Sequence, residues 1–216
     1  TGNPVRQNLL EHSISHKKAA DYFGLNPAKK TILILGGSLG ARTINQTLTE
    51  GLEIIRNNPD IQFIWQTGKI YIEQVRDAIT TVTGETVHHP HINAIPNLYV
   101  TDFIKDMASA YSVADLVISR AGAGSISEFC LLRKPVILVP SPNVAEDHQT
   151  KNALALVNKD AAIYVKDSEA KNRLLPVALE TIANAEKLES LSDHIAKLAL
   201  PDSAIIIAKE VLKLIK

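Results

Sequence analysis

Short, uninterrupted apolar runs recur along this chain, and segments with apolar residues at helical spacing separate most of them. The first run reads Thr-Ile-Leu-Ile-Leu, which is typical of a parallel strand covered on both faces. Ile44, Leu48 and Ile55 follow it at the spacing of one helical face. Strand alternating with helix predicts a doubly wound α/β sheet. The apolar runs are residues 31–35, 61–65, 98–100, 116–118, 136–139 and 162–165.

The end of the chain has a different character. From Ala170 onward it has helical spacing without a clear strand, and breaks near Asn184 and at Pro201 predict three helices that cover the sheet. The stretch 85–96 lacks periodicity and is interpreted as a connecting loop. With 216 residues the chain can bury a substantial core, and we expect a single domain over residues 1–216.

Composition narrows the classes of function. Basic and acidic residues both number 23, so no strong overall charge attracts nucleic acid or an anionic membrane. The single cysteine, Cys130, excludes an intramolecular disulfide, favours a reducing compartment, and lies in an apolar context that favours packing over nucleophilic chemistry. Apolar runs of strand length and no charged-then-apolar leader predict a soluble, intracellular chain without a membrane span or signal peptide.

A glycine-rich turn, residues 36–41, follows the first apolar run. Its order, Gly-Gly-Ser-Leu-Gly-Ala, differs from the dinucleotide-binding pattern Gly-x-Gly-x-x-Gly, and no carboxylate ends the next strand. The Lys-Ser/Thr pair of an ATP-binding P-loop is also missing. Glycines still let backbone N–H groups approach a ligand, and Ser38 adds a hydroxyl donor at a helix start. A tight turn without a ligand explains this segment equally well.

A second turn, residues 120–125, follows the run 116–118 and precedes an apolar helix predicted over residues 126–132. Backbone N–H groups at such a helix start attract an anion, and Arg120 could offset phosphate charge. Glu128 lies about one helical turn beyond Gly124, near enough to meet a ribose beside a bound phosphate. The alternative is a capping box with Ser125 as N-cap. The number of small residues favours ligand binding.

A polar segment, residues 143–152, follows the run 136–139 and therefore reaches the same sheet edge. His148, Gln149 and Asn152 carry donors and acceptors suited to sugar hydroxyls. A solvated helix start capped by Asp147 is the alternative, and the two neighbouring turns favour ligand binding. Metal and nucleophile chemistry find little support, because the histidines in 88–91 lack partners at ligand spacing and no Gly-x-Ser-x-Gly or His-Glu-x-x-His motif occurs.

Together these residues resemble the C-terminal half of the peptidoglycan N-acetylglucosaminyltransferases, family 28 enzymes that convert lipid I to lipid II. The resemblance covers nearly the whole chain and implies a GT-B enzyme with two Rossmann-like halves, of which this chain is the donor-binding one. The segments that carry it are residues 1–6, 36–42 with Asn45, 103–107, 119–128, and Gln149 with 152–153.

The resemblance also implies the roles of individual residues toward UDP-N-acetylglucosamine. Ser38 and the backbone of residues 123–125 would hold the diphosphate, the Ile104 backbone would read the uracil, and Glu128 would accept hydrogen bonds from the ribose. A glutamine pair expected at the sugar end is replaced by His148-Gln149. The implied donor contacts are Arg6, Ser38, Ile104, Ala123, Gly124, Ser125, Ile126, Ser127, Glu128 and Gln149, with Gly37, Phe103, Arg120, His148 and Asn152 around them.

The resemblance further implies what lies elsewhere. The acceptor loops, general base and membrane-docking patch belong to the N-terminal half, so this domain alone would bind UDP-sugar and turn over little. No cofactor or metal is expected, and lipid I and the membrane surface would be reached only through the absent half, on the cytoplasmic face of the bacterial inner membrane. Alternatives are the donor half of another UDP-sugar transferase or epimerase, and a non-catalytic α/β binding module.

Overall fold

A computed structural model describes residues 2–5, 9, 14–37, 39–86 and 94–214. Six parallel strands form one sheet in the order β3-β2-β1-β4-β5-β6. The doubly wound α/β prediction is thereby confirmed. The strands are β1 Lys30–Leu35, β2 Ile61–Gln66, β3 Leu98–Thr101, β4 Leu116–Ser119, β5 Val136–Leu138 and β6 Ile163–Tyr164.

Helices follow most strands and cover both faces of the sheet. Short 3-10 turns at Ala145–Asp147 and Asp167–Glu169 precede two of them. The three helices predicted after Ala170 are present as α8 to α10, and the Asn184 side chain accepts the Lys187 N–H at 2.9 Å at the start of α9. The helices are α1 His16–Phe23, α2 Arg42–Glu50, α3 Leu52–Arg56, α4 Ile72–Thr83, α5 Met107–Val113, α6 Ala123–Leu131, α7 His148–Val157, α8 Ala170–Ala183, α9 Ala185–Ala196 and α10 Ser203–Lys213.

Alternation of side chains along the central strand creates two core layers. Ile32 and Ile34 of β1 face a layer built with α2, α3, α4 and α8. Leu33 and Leu35 face the opposite layer, built with α1, α5, α6, α7 and α9. All four side chains are buried, as a strand covered by helices on both faces requires. The uninterrupted apolar runs in the sequence reflect this double coverage.

The order of the strands creates a crevice between β1 and β4. The chain winds from β1 toward β2 and β3 on one side, and from β4 toward β5 and β6 on the other. The loops after β1 and β4 therefore diverge at the carboxyl edge of the sheet, where open α/β sheets bind their ligands. Both glycine-containing turns of the sequence lie at this switch point.

Two further expectations concern the loop at residues 85–96 and membrane spans. Most of the loop predicted over residues 85–96, including its histidines, lies outside the described residues. Within the described part of the chain, no helix combines the length and the apolar character needed to cross a bilayer.

Candidate functional site

A cleft of about 820 Å³ opens at the carboxyl edge of the sheet, above the switch point. Residues that follow each of the six strands contribute to its wall. Seven of the sequence-predicted contact residues line it, namely Gly37, Phe103, Ile104, Arg120, Ser125, Glu128 and Gln149. Two further predictions, Arg6 and Ser38, lie outside the described residues.

The turn after β1 depends on two glycines that touch each other. Gly40 has φ +85°, and a Cβ atom there would lie 2.4 Å from the Thr67 carbonyl oxygen. Gly68 has φ +81°, and a Cβ atom there would lie 2.4 Å from the Gly40 nitrogen. Both positions therefore require glycine for conformation and for space. Gly40 belongs to the predicted turn, whereas its partner Gly68 lies after β2, outside either predicted turn.

The turn after β4 ends in the start of α6. The helix begins at Ala123, three residues earlier than predicted, with Gly122 as an extended N-cap. The first bond within the helix runs from the Ile126 N–H to the Gly122 carbonyl at 3.0 Å, so the N–H groups of residues 123–125 have no acceptor inside the helix. Ser125 lies within this first turn, so the capping-box alternative is wrong. The helix start thus presents three amides and the positive end of its dipole.

Glu128 follows Ser125 by three residues on α6, and both line the cleft. The Tyr111 hydroxyl donates to Glu128 Oε2 at 2.7 Å. Tyr111 belongs to α5, is buried, and packs edge-to-face on Phe129 with ring centroids 6.1 Å apart. A buried ring thereby orients the carboxylate beside the helix start. Sequence reasoning missed Tyr111, because nothing local connects it to Glu128.

Arg120 lines the cleft, but its guanidinium group is already engaged. Nη1 donates to the carbonyl oxygens of Val139 at 2.9 Å and Pro140 at 3.2 Å. The same nitrogen pairs with the Asp167 carboxylate. Arg120 therefore holds the segment that follows β5. The positive charge that was expected to offset phosphate is paired with the Asp167 carboxylate.

Gln66, at the end of β2, links two loops of the cleft. Its Nε2 donates to the Gly37 carbonyl at 3.1 Å, and its Oε1 accepts the Ile104 N–H at 3.0 Å. Gln66 is 5% exposed, so buried hydrogen bonds connect the loop after β1 to the loop after β3. The Ile104 N–H therefore already has an acceptor in the Gln66 side chain. Phe103, the neighbour of Ile104 in the chain, also lines the cleft and is 46% exposed.

Gln149 and Asn152, on α7, hold the segment before α6. Gln149 Oε1 accepts the N–H groups of Ser141 at 2.9 Å and Ala121 at 3.3 Å. Asn152 Nδ2 donates to the Ala121 carbonyl at 3.1 Å, and Asn152 does not contribute to the cleft wall. Asn152 therefore positions this segment through its bond to Ala121, and its expected sugar contact stays a prediction.

Three other expected contact side chains do not line the cleft. His148 is 60% exposed, outside the wall, with Nε2 at 3.6 Å from Glu146. Ile126 and Ser127 line a separate cavity of about 410 Å³ on the far side of α6. The Ser127 hydroxyl donates back to the Ala123 carbonyl at 3.1 Å. Helical rotation explains the difference, since these two positions point away from the face that carries Ser125 and Glu128.

The described residues offer little for metal or cysteine chemistry. Among the described residues, no group of three or more His, Cys, Asp and Glu side chains could hold a metal ion. Cys130 is buried, and this burial raises the pKa of its thiol to about 11. The thiol is therefore protonated at neutral pH, which agrees with its interpretation as a packing residue.

Comparisons with known proteins agree with this geometry. Residues 31–205 match the family of the glycosyltransferase family 28 C-terminal domain. The chain is 74% identical over 214 residues to the UDP-N-acetylglucosamine--N-acetylmuramyl-(pentapeptide) pyrophosphoryl-undecaprenol N-acetylglucosamine transferase of Bacteroides fragilis, covering 99% of this chain and 54% of that protein. The protein of the same name from Bacteroides thetaiotaomicron is 68% identical, with 99% and 55% covered. The chain spans about half the length of these curated relatives.

Solved structures give a consistent result. The crystal structure of MurG from Acinetobacter baumannii matches with a TM-score of 0.71 and 27% identity, covering 95% of this chain and 55% of that chain. A UDP-GlcNAc 2-epimerase from Neisseria meningitidis, bound to UDP-GlcNAc, matches with a TM-score of 0.61 and 16% identity, covering 91% and 48%. The second likeness concerns the fold alone.

Proposed function

The chain belongs to the glycosyltransferase family 28 C-terminal domain family, and from this premise we propose that it binds UDP-N-acetylglucosamine for a transferase that converts lipid I to lipid II. The names of the Bacteroides relatives support this donor and an undecaprenol-linked acceptor. Because the chain spans about half of those relatives, the complete reaction requires the other half. We assign lipid I, the general base and the contact with the cytoplasmic face of the membrane to that half.

One observation carries the proposal: the start of α6, whose first amides have no acceptor inside the helix, lines the same cleft as Glu128, through Gly122 and Ser125. A diphosphate is an anion of the size that a helix start holds through its N–H groups. A carboxylate one turn further along the same face accepts hydrogen bonds from vicinal ribose hydroxyls. This order of groups fits a nucleoside diphosphate, with the base near Ile104.

In the proposed reaction the 4-hydroxyl of the acceptor sugar attacks the anomeric carbon of N-acetylglucosamine. The bond between that carbon and the diphosphate oxygen breaks, UDP leaves, and the hydroxyl proton passes to the general base of the other half. Negative charge grows on the departing diphosphate. The amides and dipole of α6 are oriented before the reaction and stabilise this charge, so we propose inversion at the anomeric carbon without a metal ion.

Calorimetric titration of the domain with UDP tests the proposal. We expect Glu128→Ala to weaken UDP binding about 10- to 100-fold, because hydrogen bonds to charged groups contribute about 1.5–3 kcal/mol. Glu128→Gln keeps an acceptor oxygen and a partner for Tyr111, so its loss should be smaller. Glu189→Ala, at an exposed position of α9, is the matched control and should bind like the unmodified chain. Unchanged UDP affinity in Glu128→Ala would refute the assignment.

The same titration separates the proposed donor from related ones. UDP-N-acetylglucosamine should bind more tightly than UDP-glucose and TDP-sugars. Binding in EDTA should equal binding with Mg²⁺, since the site supplies its positive potential from amides. A strict requirement for Mg²⁺ would contradict the metal-free mechanism.

A further inference from the structure

Asp167 lines the cleft and contacts residues near the starts of α2 and α6. It follows β6 and begins a 3-10 turn, far in sequence from both glycine-containing turns. Its Oδ2 accepts the Thr43 hydroxyl at 2.8 Å, and its Oδ1 pairs with Arg120 Nη1. The Arg120 and Asp167 side chains are only 16% and 18% exposed, so solvent screens their attraction less than that of a surface pair.

The two partners of Asp167 belong to the two segments that would hold the diphosphate. Thr43 is in the first turn of α2, directly after the glycine turn of residues 36–41. Arg120 lies two residues before the N-cap of α6, and the carbonyl groups of Val139 and Pro140 hold it from the other side. One carboxylate therefore connects the start of α2 to the start of α6 through side chains alone.

We infer that Asp167 and Thr43 are positioning residues that set the spacing between the starts of α2 and α6. This inference rests on the proposed function, because the spacing matters for a ligand that contacts both helix starts. A carboxylate repels phosphate, so Asp167 acts through Thr43 and Arg120 rather than on the ligand. A displacement of about 1 Å in the groups that contact a ligand weakens its binding, so a fixed distance between the two helix starts favours binding.

The brace is the Thr43–Asp167–Arg120 connection between the two helix starts. Thr43→Val breaks it without a change of charge, whereas a change at Asp167 would also leave the charge of Arg120 without its partner. We expect Thr43→Val to weaken UDP binding about fivefold, the effect of one hydrogen bond, and to leave the affinity for uridine unchanged. Uridine lacks the diphosphate, and in the proposed binding mode it contacts Ile104 and Glu128 but not the start of α2. Thr43→Ser keeps the hydroxyl group and should restore UDP binding. Thr49→Val makes the same change near the other end of α2 and should have no effect.

Amide NMR spectra without ligand provide a second readout. If the brace exists, Thr43→Val shifts the signals of residues 122–125 at the start of α6, and Thr49→Val does not. Unshifted signals, equal losses for UDP and uridine, or failure of Thr43→Ser to restore binding would each overturn the inference. If the unmodified chain does not bind UDP, the proposed function fails, and the NMR comparison still decides whether the brace exists.

Discussion

Gly40 and Gly68 show how strongly single residues constrain the cleft. Each adopts positive φ, and each leaves room only for a hydrogen atom where the turn after β1 crosses the turn after β2. A Cβ atom on Gly40 would also lie 2.5 Å from the Tyr71 ring. The backbone carbonyl of Thr67 cannot move aside as a flexible side chain could. The path of the first turn therefore depends on the absence of a methyl group.

At this scale we predict that Gly40→Ala lowers the free energy of unfolding by about 2–4 kcal/mol, the sum of left-handed strain and steric overlap. Gly24→Ala is the matched control. Gly24 has φ +67° but no atom within 4 Å of the added Cβ, so it should lose only about 1–2 kcal/mol. Urea denaturation measures both values. Equal losses would mean that overlap at Gly40 contributes nothing.

At the scale of elements, Asn45 connects α2 to the end of β2. Its Oδ1 accepts the Trp65 indole N–H at 2.9 Å, and its Nδ2 donates to the Thr67 carbonyl at 2.8 Å. Asn45 is 2% exposed, and Trp65 is fully buried. Two buried hydrogen bonds thus connect α2 to the end of β2.

We predict that Asn45→Ala destabilises the fold by about 2–4 kcal/mol, because two buried polar groups lose their partner. Asn57→Ala, at the exposed end of α3, should cost less than about 0.5 kcal/mol. Thermal denaturation followed by circular dichroism compares the two variants. A similar small loss for both would show that water replaces Asn45 inside the core.

At the scale of the whole molecule, both core layers share the strands of one sheet, so a ligand at the sheet edge is coupled to the stability of both. Residues 1–216 as one domain remains a prediction. UDP at 100 times its dissociation constant should stabilise the fold by about 2.7 kcal/mol and raise Tm by about 5–10 °C. Glu128→Ala at the same UDP concentration should show a smaller rise. No rise with any nucleotide would favour the non-catalytic binding module.

Much of the architecture could be predicted, and the limits have physical causes. Each predicted strand is present with ends within one or two residues, because burial on both faces leaves a local apolar signal. The start of α6 was placed three residues late, since Gly124 and Ser125 have weaker helical preference than Ala123 and only the fold selects Gly122 as N-cap. Of the donor contacts predicted on α6, Ser125 and Glu128 line the cleft, whereas Ile126 lines the separate cavity, and their contacts with a ligand stay predictions.

The sequence by itself determined the sheet, its helical cover and the two turns at one edge, because apolar periodicity and glycine conformation are properties of neighbouring residues. Only the tertiary structure decided how the cleft is held together. Tyr111 meets Glu128 across 17 positions, Gln66 meets Ile104 across 38, and Asp167 meets Thr43 across 124. Such bonds depend on which loops the strand order brings side by side. A pattern of neighbouring residues carries no information about partners so far apart in the sequence.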